Sequence, residues 1–408
     1  MYPRATALLT REKTLTTSFP IERTLDAPIE GVPIKTPKPI GRLRRIWQGV
    51  GAVAHWLFGL VSLIVLLSIT ATLPVIQFLS LGYLLESSAR IIRSGRIRDG
   101  FVGINLAARI GSVGAGAMLC MLPVRMFSSL WNSSYLLNGD VGQTRALRFI
   151  LFLSAFLAIT HIAWATFRGG KFRHFCWPAP IAFWKRVRKG KLYDEASYRL
   201  LAFADRLQIG HLFSLGWRGF LGASIYLFLP VSMMALAPSL EKQGLAAIIA
   251  LVGGFALSIV LVYVPFAQSE LAVSHQFGSQ FNLRQIRQQF KRAPIAHWFA
   301  LLLTLTLALP LYILKAELIP REAAWLPSLV FVAFMLPARL AVGWAVGRAK
   351  RREEPRFFLS RWLAWFGLAP IAIIYALIVY GTQFTSWYGS PSLYEQHAFL
   401  LPVPFLGY

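Results

Sequence analysis

The sequence predicts an all-α integral membrane protein, a polytopic helical bundle of about seven transmembrane helices plus an N-terminal re-entrant hairpin. The chain is 56% hydrophobic and only 14% charged, whereas an average soluble domain is about 25% charged. The apolar residues are grouped into eight windows whose lengths suit a bilayer core about 30 Å thick. These windows cover residues 51–84, 103–130, 147–167, 210–237, 245–268, 297–314, 324–346 and 362–386.

Basic residues are concentrated in every second gap between the windows. Together, 24 Lys and Arg residues lie in 85–102, 168–209, 269–296 and 347–361. Only 4 lie in the alternate segments 131–146, 238–244, 315–323 and 387–408. Because Lys and Arg accumulate on the cytoplasmic side of membrane proteins, we expect a multi-pass protein of the bacterial inner membrane with its C-terminus outside. The same rule accounts for the net charge of +25 without nucleic-acid binding.

The first window is flanked by arginines on both sides, at 42–45 and at 90–98. A single span cannot place both flanks on the cytoplasmic side. A continuous helix over 51–84 would be about 51 Å long, and the window contains Pro74. We therefore predict two limbs that enter and return, which is tolerated where protein or water satisfies the backbone. The alternative is one long tilted span with the N-terminus outside.

The chain divides at about residue 46. Residues 1–46 are polar, contain six prolines and have too little apolar surface to fold, which predicts a disordered cytoplasmic tail. The early residues form no apolar stretch, so we expect no cleavable signal peptide. Residues 47–408 form the polytopic membrane domain, with cytoplasmic loops at the four basic gaps.

Two segments in the basic gaps have the spacing of amphipathic helices, at 192–209 and 282–292. In the second, Leu283, Ile286 and Phe290 share one helical face, opposite three basic residues. Such helices bind anionic lipid headgroups, so we expect membrane lipids as partners of the basic loops. An equally good alternative is that both helices cap the bundle.

Charged residues within or beside the windows are the strongest functional signal, because a charge in hydrocarbon costs at least about 2.5 kcal/mol. Glu270 lies just past one window and Glu86 just past the hairpin. If the intramembrane arginines face one interior, they form a cationic lining for an anion or a lipid phosphate. Alternatively, those near window ends extend to the headgroups. The candidate polar lining comprises the deepest, Arg339, with Arg109, Arg218, Arg125 and Glu270.

Other patterns predict structure rather than chemistry. Gly103, Ala107, Gly111 and Ala115 recur every four residues, as in close helix contacts. Cys120 and Cys176 are not expected to pair. His174 and Cys176 are close in the sequence, but no second pair of ligands completes a zinc site. Because we find no nucleophile set, carboxylate pair or phosphate loop, we expect neither an enzyme nor a cofactor.

Four segments resemble a known family. The run at 73–101, with its P…GYLLE turn and basic stretch, resembles the opening of a bacterial and archaeal family of multi-pass membrane proteins known as a domain of unknown function. The segments 308–322, 336–352 and 395–408 look like a planctomycete branch of that family. After the basic stretch, the family sequences continue with a Pro-Trp motif. At that place this chain has Arg-Asp-Gly-Phe, residues 98–101. The resemblance implies a helical fold and a bacterial inner membrane, but no activity.

We therefore expect a transporter-like inner-membrane protein that binds or moves a small solute, anion or lipid. The alternative is a membrane scaffold or assembly factor that docks a partner through its basic loops, and a protein partner or homo-oligomer fits either role. Transport predicts that Arg339 and other polar groups converge on a solvated cavity. A scaffold predicts a dry bundle with an exposed docking face.

Overall fold

The computed structural model describes residues 42–137, 140–188, 192–313, 325–386, 389–390 and 392–395, and every regular element in these ranges is helical. Residues 42–50 belong to one compact unit, and the contacts below all lie within the other, 51–408. The α-helices are α1 (Arg42–Thr72), α2 (Gln77–Ser94), α3 (Ile104–Leu136), α4 (Val141–Phe167), α5 (Phe172–Cys176), α6 (Pro180–Val187), α7 (Leu192–Leu207), α8 (Ile209–Leu236), α9 (Gln243–Ser274), α10 (Leu283–Arg292), α11 (Pro294–Ile313), α12 (Trp325–Lys350), α13 (Phe358–Thr382) and α14 (Ser392–Glu395).

In these ranges, eight helices are long and apolar enough to cross a membrane, namely α1, α3, α4, α8, α9, α11, α12 and α13. Their outer surfaces are apolar. On α3 and α4, Met118 is 77% exposed and Phe149 is 69% exposed. Apolar surfaces of this extent are unfavourable in water and suit contact with lipid. The predicted polytopic helical membrane bundle is therefore confirmed.

The first apolar window is broken at residues 73–76, beside Pro74. Val75 adopts a left-handed φ of 69° there, and the chain turns from α1 into α2. The two limbs pack together, since the Ser80 hydroxyl donates a hydrogen bond of 2.7 Å to the carbonyl oxygen of Leu67. The ring of Phe78 packs against that of Phe220 with centroids 5.1 Å apart. Because α8 continues from Phe220 to Leu236, about 24 Å further, α2 begins part-way along α8. The predicted break in the window is therefore present, but α1 is long enough to cross a membrane by itself, so the two short limbs of the predicted hairpin stay a prediction.

The second limb of the hairpin is the central element of the bundle. It extends to Ser94, ten residues beyond the predicted window, and its polar Glu86, Ser87 and Ser88 are buried. A Cβ atom on Gly82 would overlap the carbonyl oxygen of Leu212, so the α2 and α8 backbones are in direct contact. The hydropathy window ended too early because α2 is surrounded by protein rather than lipid.

The predicted tail lies outside the described residues up to position 41, and residues 42–46, which we assigned to it, begin α1. Both predicted amphipathic helices are present, as α7 and α10. On α10, Ile286 is buried and Phe290 packs against the core, which favours the capping alternative. On α7, Tyr198 and Leu201 are strongly exposed.

The helices α3 and α4 form a lobe with α5 packed against them. Gly116 makes room for the ring of Phe175, which a Cβ atom would overlap, and Gly111 does the same for the Ser62 hydroxyl. The small-residue ladder therefore makes close contacts at Gly111, whereas Gly103 instead caps α3 with a φ of 67°. The thiols of Cys120 and Cys176 are both free.

Two loops, 94–101 and 274–281, have the same backbone geometry. Each helix ends in a left-handed residue, Gly95 with a φ of 79° and His275 with a φ of 58°. In each loop the preceding serine hydroxyl accepts a hydrogen bond of 3.2 Å from the backbone N–H two residues later. A 3₁₀ turn follows in both cases. The sequences SGRIRDGF and SHQFGSQF share only their first and last residues, so the repetition is structural.

Candidate functional site

Three of the four basic gaps meet at one end of the bundle, together with the start of α8. Arg93 donates a hydrogen bond of 3.1 Å to the carbonyl oxygen of Ala272. The backbone N–H of Arg356 donates one of 3.0 Å to the carbonyl oxygen of Lys291. We call this region, formed by 85–102, 269–296, 347–361 and the first residues of α8, the basic end.

Glu86 is the centre of one polar cluster at the basic end. Its side chain is 4% exposed and forms ion pairs with Arg90 at 3.1 Å and Arg93 at 3.4 Å. The imidazole of His211 on α8 lies 3.5 Å away. Arg93 also donates a hydrogen bond of 3.2 Å to the ring of His275 at the end of α9. One buried carboxylate thus links α2, α8 and α9.

His275 is held close to several other charges. Burial lowers its pKa, and the neighbouring charges of His211, Arg93 and Arg218 lower it further, against a smaller opposing effect of Glu86. The rings of His211 and His275 are 5.2 Å apart. A neutral imidazole at position 275 therefore suits the folded protein.

Glu270 is the centre of a second cluster and is 2% exposed. One carboxylate oxygen accepts a hydrogen bond of 2.8 Å from the Gln289 amide, and the other accepts one of 2.7 Å from the Gln285 amide. Lys350 lies 2.8 and 2.9 Å from the two oxygens. This carboxylate links α9, α10 and α12.

A cleft of about 570 Å³ opens beside Glu270 on the surface of α10. Seven side chains line it: Asn282, Arg284, Gln285, Gln288, Gln289, Arg292 and Lys350. Three of these are cationic and four are amides. We call it the α10 cleft.

More cations crowd the neighbouring loop. Burial lowers the pKa of Arg352, and the nearby charges of Arg356 and Arg348 lower it further. The Arg352 side chain donates a hydrogen bond of 3.4 Å to the carbonyl oxygen of Arg292, one of the residues that line the α10 cleft. The cleft therefore borders a loop in which arginines outnumber the two exposed carboxylates, Glu353 and Glu354.

Arg339 is the deepest of the sequence candidates and is 3% exposed. Its Nη2 donates a hydrogen bond of 2.6 Å to the side-chain oxygen of Gln268, whose amide nitrogen donates to the carbonyl oxygen of Gly219. Its Nη1 is buried without a partner. Among the described residues, no carboxylate pairs with this guanidinium.

The structure does not bring the candidate lining residues to one interior. Arg109 and Arg125 are exposed on α3, and Arg218 is exposed at the basic end, where it donates to the carbonyl oxygen of His275. Only Arg339 and Glu270 are buried, each with its own partners. Since Arg339 is enclosed, the solvated cavity that we expected for a transporter does not surround it in this conformation.

Sequence reasoning missed the neutral partners of these charges. Gln285 and Gln289 lie four residues apart and therefore share a face of α10. That spacing was visible, but it indicated only a polar surface. Gln268 and Lys350 gave no local signal, because their partners lie 71 and 80 residues away in the chain.

No protein-family model, no curated protein and no solved structure matches this chain. The fold and the geometry of the basic end define the class: a multi-pass helical membrane protein.

Proposed function

We propose that this chain is a bacterial cytoplasmic-membrane protein that binds a phosphate-bearing anion, as a lipid headgroup or a solute, in the α10 cleft. One observation carries the proposal: among the described residues, three cations and no acidic residue line the cleft. Glu270, beneath it, neutralises only Lys350. The excess positive charge attracts anions, and arginine and amide groups donate hydrogen bonds to phosphate oxygens.

The orientation follows from the charge distribution. The split of 24 to 4 basic residues between alternate gaps favours the basic end as the cytoplasmic side. There the inner leaflet is anionic, and each Lys or Arg near the headgroups contributes about 1 kcal/mol of attraction. The cleft therefore has access to both lipid headgroups and cytoplasmic solutes.

Anion transport is the second candidate, and it is favoured by the unpaired Nη1 of Arg339. An anion would reach this guanidinium only after the helices around it move. In either role we propose binding or transport without catalysis. A scaffold would use the same basic end as a docking face for a protein partner.

The test is anion binding by two matched variants of the full-length protein. Arg284 lines the cleft, whereas Arg287 on the same helix donates a hydrogen bond of 3.1 Å to the Tyr263 hydroxyl. In phosphatidylcholine nanodiscs containing phosphatidylglycerol, Arg284→Gln should weaken binding of that lipid by about tenfold, and Arg287→Gln should change it little.

Binding should also weaken as salt increases, because exposed charges are screened within about 8 Å at physiological ionic strength. Native mass spectrometry of the extracted complexes gives the bound lipid directly. Equal losses in both variants, or equal retention of phosphatidylcholine, would contradict an anion site in the cleft.

A further inference from the structure

We infer that the ligand of the α10 cleft is a polyol phosphate, a phosphate whose organic substituent carries a hydroxyl donor. This inference rests on the proposed function and specifies its ligand class. The shared chemistry belongs to a glycerol-type lipid headgroup and to a soluble polyol phosphate. The experiment below distinguishes these two sources.

The carboxylate of Glu270 determines the orientation of the two amides beside it. An ionised carboxylate accepts hydrogen bonds and does not donate them. The amide nitrogens of Gln285 and Gln289 must therefore be the atoms that approach Glu270, at 2.7 and 2.8 Å. Both side-chain carbonyl oxygens are consequently directed away from the carboxylate.

The two amide oxygens differ in their hydrogen bonding. The Gln285 oxygen accepts a hydrogen bond of 3.4 Å from the Asn282 amide. The Gln289 oxygen has no partner, although its side chain is 3% exposed and lines the cleft. A buried acceptor without a donor is unfavourable. This oxygen lies just beneath the cleft surface, so a small turn of the Gln289 side chain would present it to a ligand that supplies a donor.

The cations that line the cleft restrict the charge of that donor. Arg284, Arg292 and Lys350 surround the same cleft, and like charges at short range repel. An ammonium donor, as in ethanolamine, is disfavoured on these grounds. A hydroxyl is a neutral donor, and a phosphate beside it pairs with the cations.

The volume of the cleft suits a headgroup or a small solute. A volume of about 570 Å³ lies within the usual range of about 300–1,000 Å³ for small-molecule sites. It accommodates a polar headgroup or a small solute, whereas acyl chains would remain in the bilayer. The cleft thus selects the headgroup chemistry and leaves the source open.

The test compares probes of equal charge that differ in the hydroxyl donors and by one carbon of the headgroup. Phosphatidylglycerol and phosphatidylethanol with identical acyl chains both have one negative charge, but only the first has free hydroxyls. In nanodiscs of phosphatidylcholine, the full-length protein should bind phosphatidylglycerol about threefold to tenfold more tightly. For a soluble source, glycerol 3-phosphate should be preferred over ethyl phosphate by the same factor.

Matched variants assign this preference to one atom. Gln289→Met removes the unpaired oxygen and should reduce the preference to about one. Gln285→Met also removes an amide from Glu270 but keeps the Gln289 oxygen, so it should retain the preference. If Gln289→Met does not fold, the ratio measured for the unmodified protein decides the question.

The outcomes separate the two proposals. A preference for the lipid or for the solute supports the inference and identifies the source. Equal binding of the hydroxyl and non-hydroxyl probes overturns the inference and leaves the anion site standing. If neither pair binds, the proposed function fails as well.

Discussion

Replacing Arg339 with methionine should leave the folded protein equally stable or make it more stable. Placing an arginine at the centre of a membrane helix costs about 2.5–3.5 kcal/mol. Here the side chain is 3% exposed, and no carboxylate among the described residues pairs with it. Its side-chain hydrogen bond of 2.6 Å to Gln268 contributes about 1.5–3 kcal/mol. The difference ranges from about −0.5 to +2 kcal/mol in favour of Met, whose flexible side chain fills similar space.

The assay is reversible unfolding in mixed dodecyl maltoside and SDS micelles, with a double-mutant cycle. Arg339→Met and Gln268→Leu should be coupled by about 1.5–3 kcal/mol, because each removes the same hydrogen bond. Arg339→Lys keeps the charge but loses the planar fork, so it should be the least stable of the single variants at this position. A loss of more than about 3 kcal/mol in Arg339→Met would refute the reasoning, since it would require a stabilising counter-charge.

The same variant tests the transport candidate. A destabilising group that a protein retains commonly serves function. If Arg339 lies on an anion path, Arg339→Met should abolish anion flux in reconstituted vesicles while stability is kept. Unchanged flux with unchanged stability would remove transport through this residue.

Three further outcomes are expected. Gly82→Ala should destabilise the protein by about 1–3 kcal/mol, because the new Cβ would overlap the α8 backbone. Gly254→Ala is the control: its Cβ would meet no atom within 4 Å, so this variant should be neutral or stabilising in the same unfolding assay. In a background without native cysteines, a cysteine at Arg96 should react with an impermeant maleimide only from the cytoplasm and one at Lys242 only from outside; the opposite result would reverse the orientation. Because the folded-state pKa of His275 is lowered, mainly by burial, its contribution to stability is present above about pH 6.5 and is lost as pH falls through the lowered value. Melting temperatures from pH 7.5 to 5 should fall more for the unmodified protein than for His275→Asn, which tolerates the left-handed backbone.

The apolar windows predicted most of the fold because spanning helices must present continuous apolar surface to lipid. Seven windows each correspond to one helix of spanning length. The first window contains the remaining such helix, α1, and is broken beside Pro74. The rule fails for a helix that protein surrounds. The polar half of α2, with Glu86 and Ser88, is buried among α8, α9 and α12, so hydropathy alone did not identify its end at Ser94.

The candidate site could be predicted only through its charges. Arg339 and Glu270 were identifiable because a charge near hydrocarbon is costly wherever its partners lie. Their partners depend on contacts between distant segments, as when the Ser88 hydroxyl donates to the carbonyl oxygen of Arg339, 251 residues away. The α10 cleft likewise requires Lys350 to reach α10 from another helix, and no local pattern encodes that approach.

The two buried glutamates explain how so cationic an end stays folded. Glu86 holds Arg90 and Arg93 of α2 near His211 of α8, and Glu270 holds Lys350 of α12 near α10. Each carboxylate offsets repulsion between helices that would otherwise bring like charges together. The glutamates are buried whereas their cationic partners are partly exposed, so solvent screens the pairs in part. Among the described residues, the ion pairs of Glu86 and Glu270 involve only the cations nearest to them. Arg284 and Arg292 line the α10 cleft together with Lys350, and this excess of positive charge is what an anion site requires.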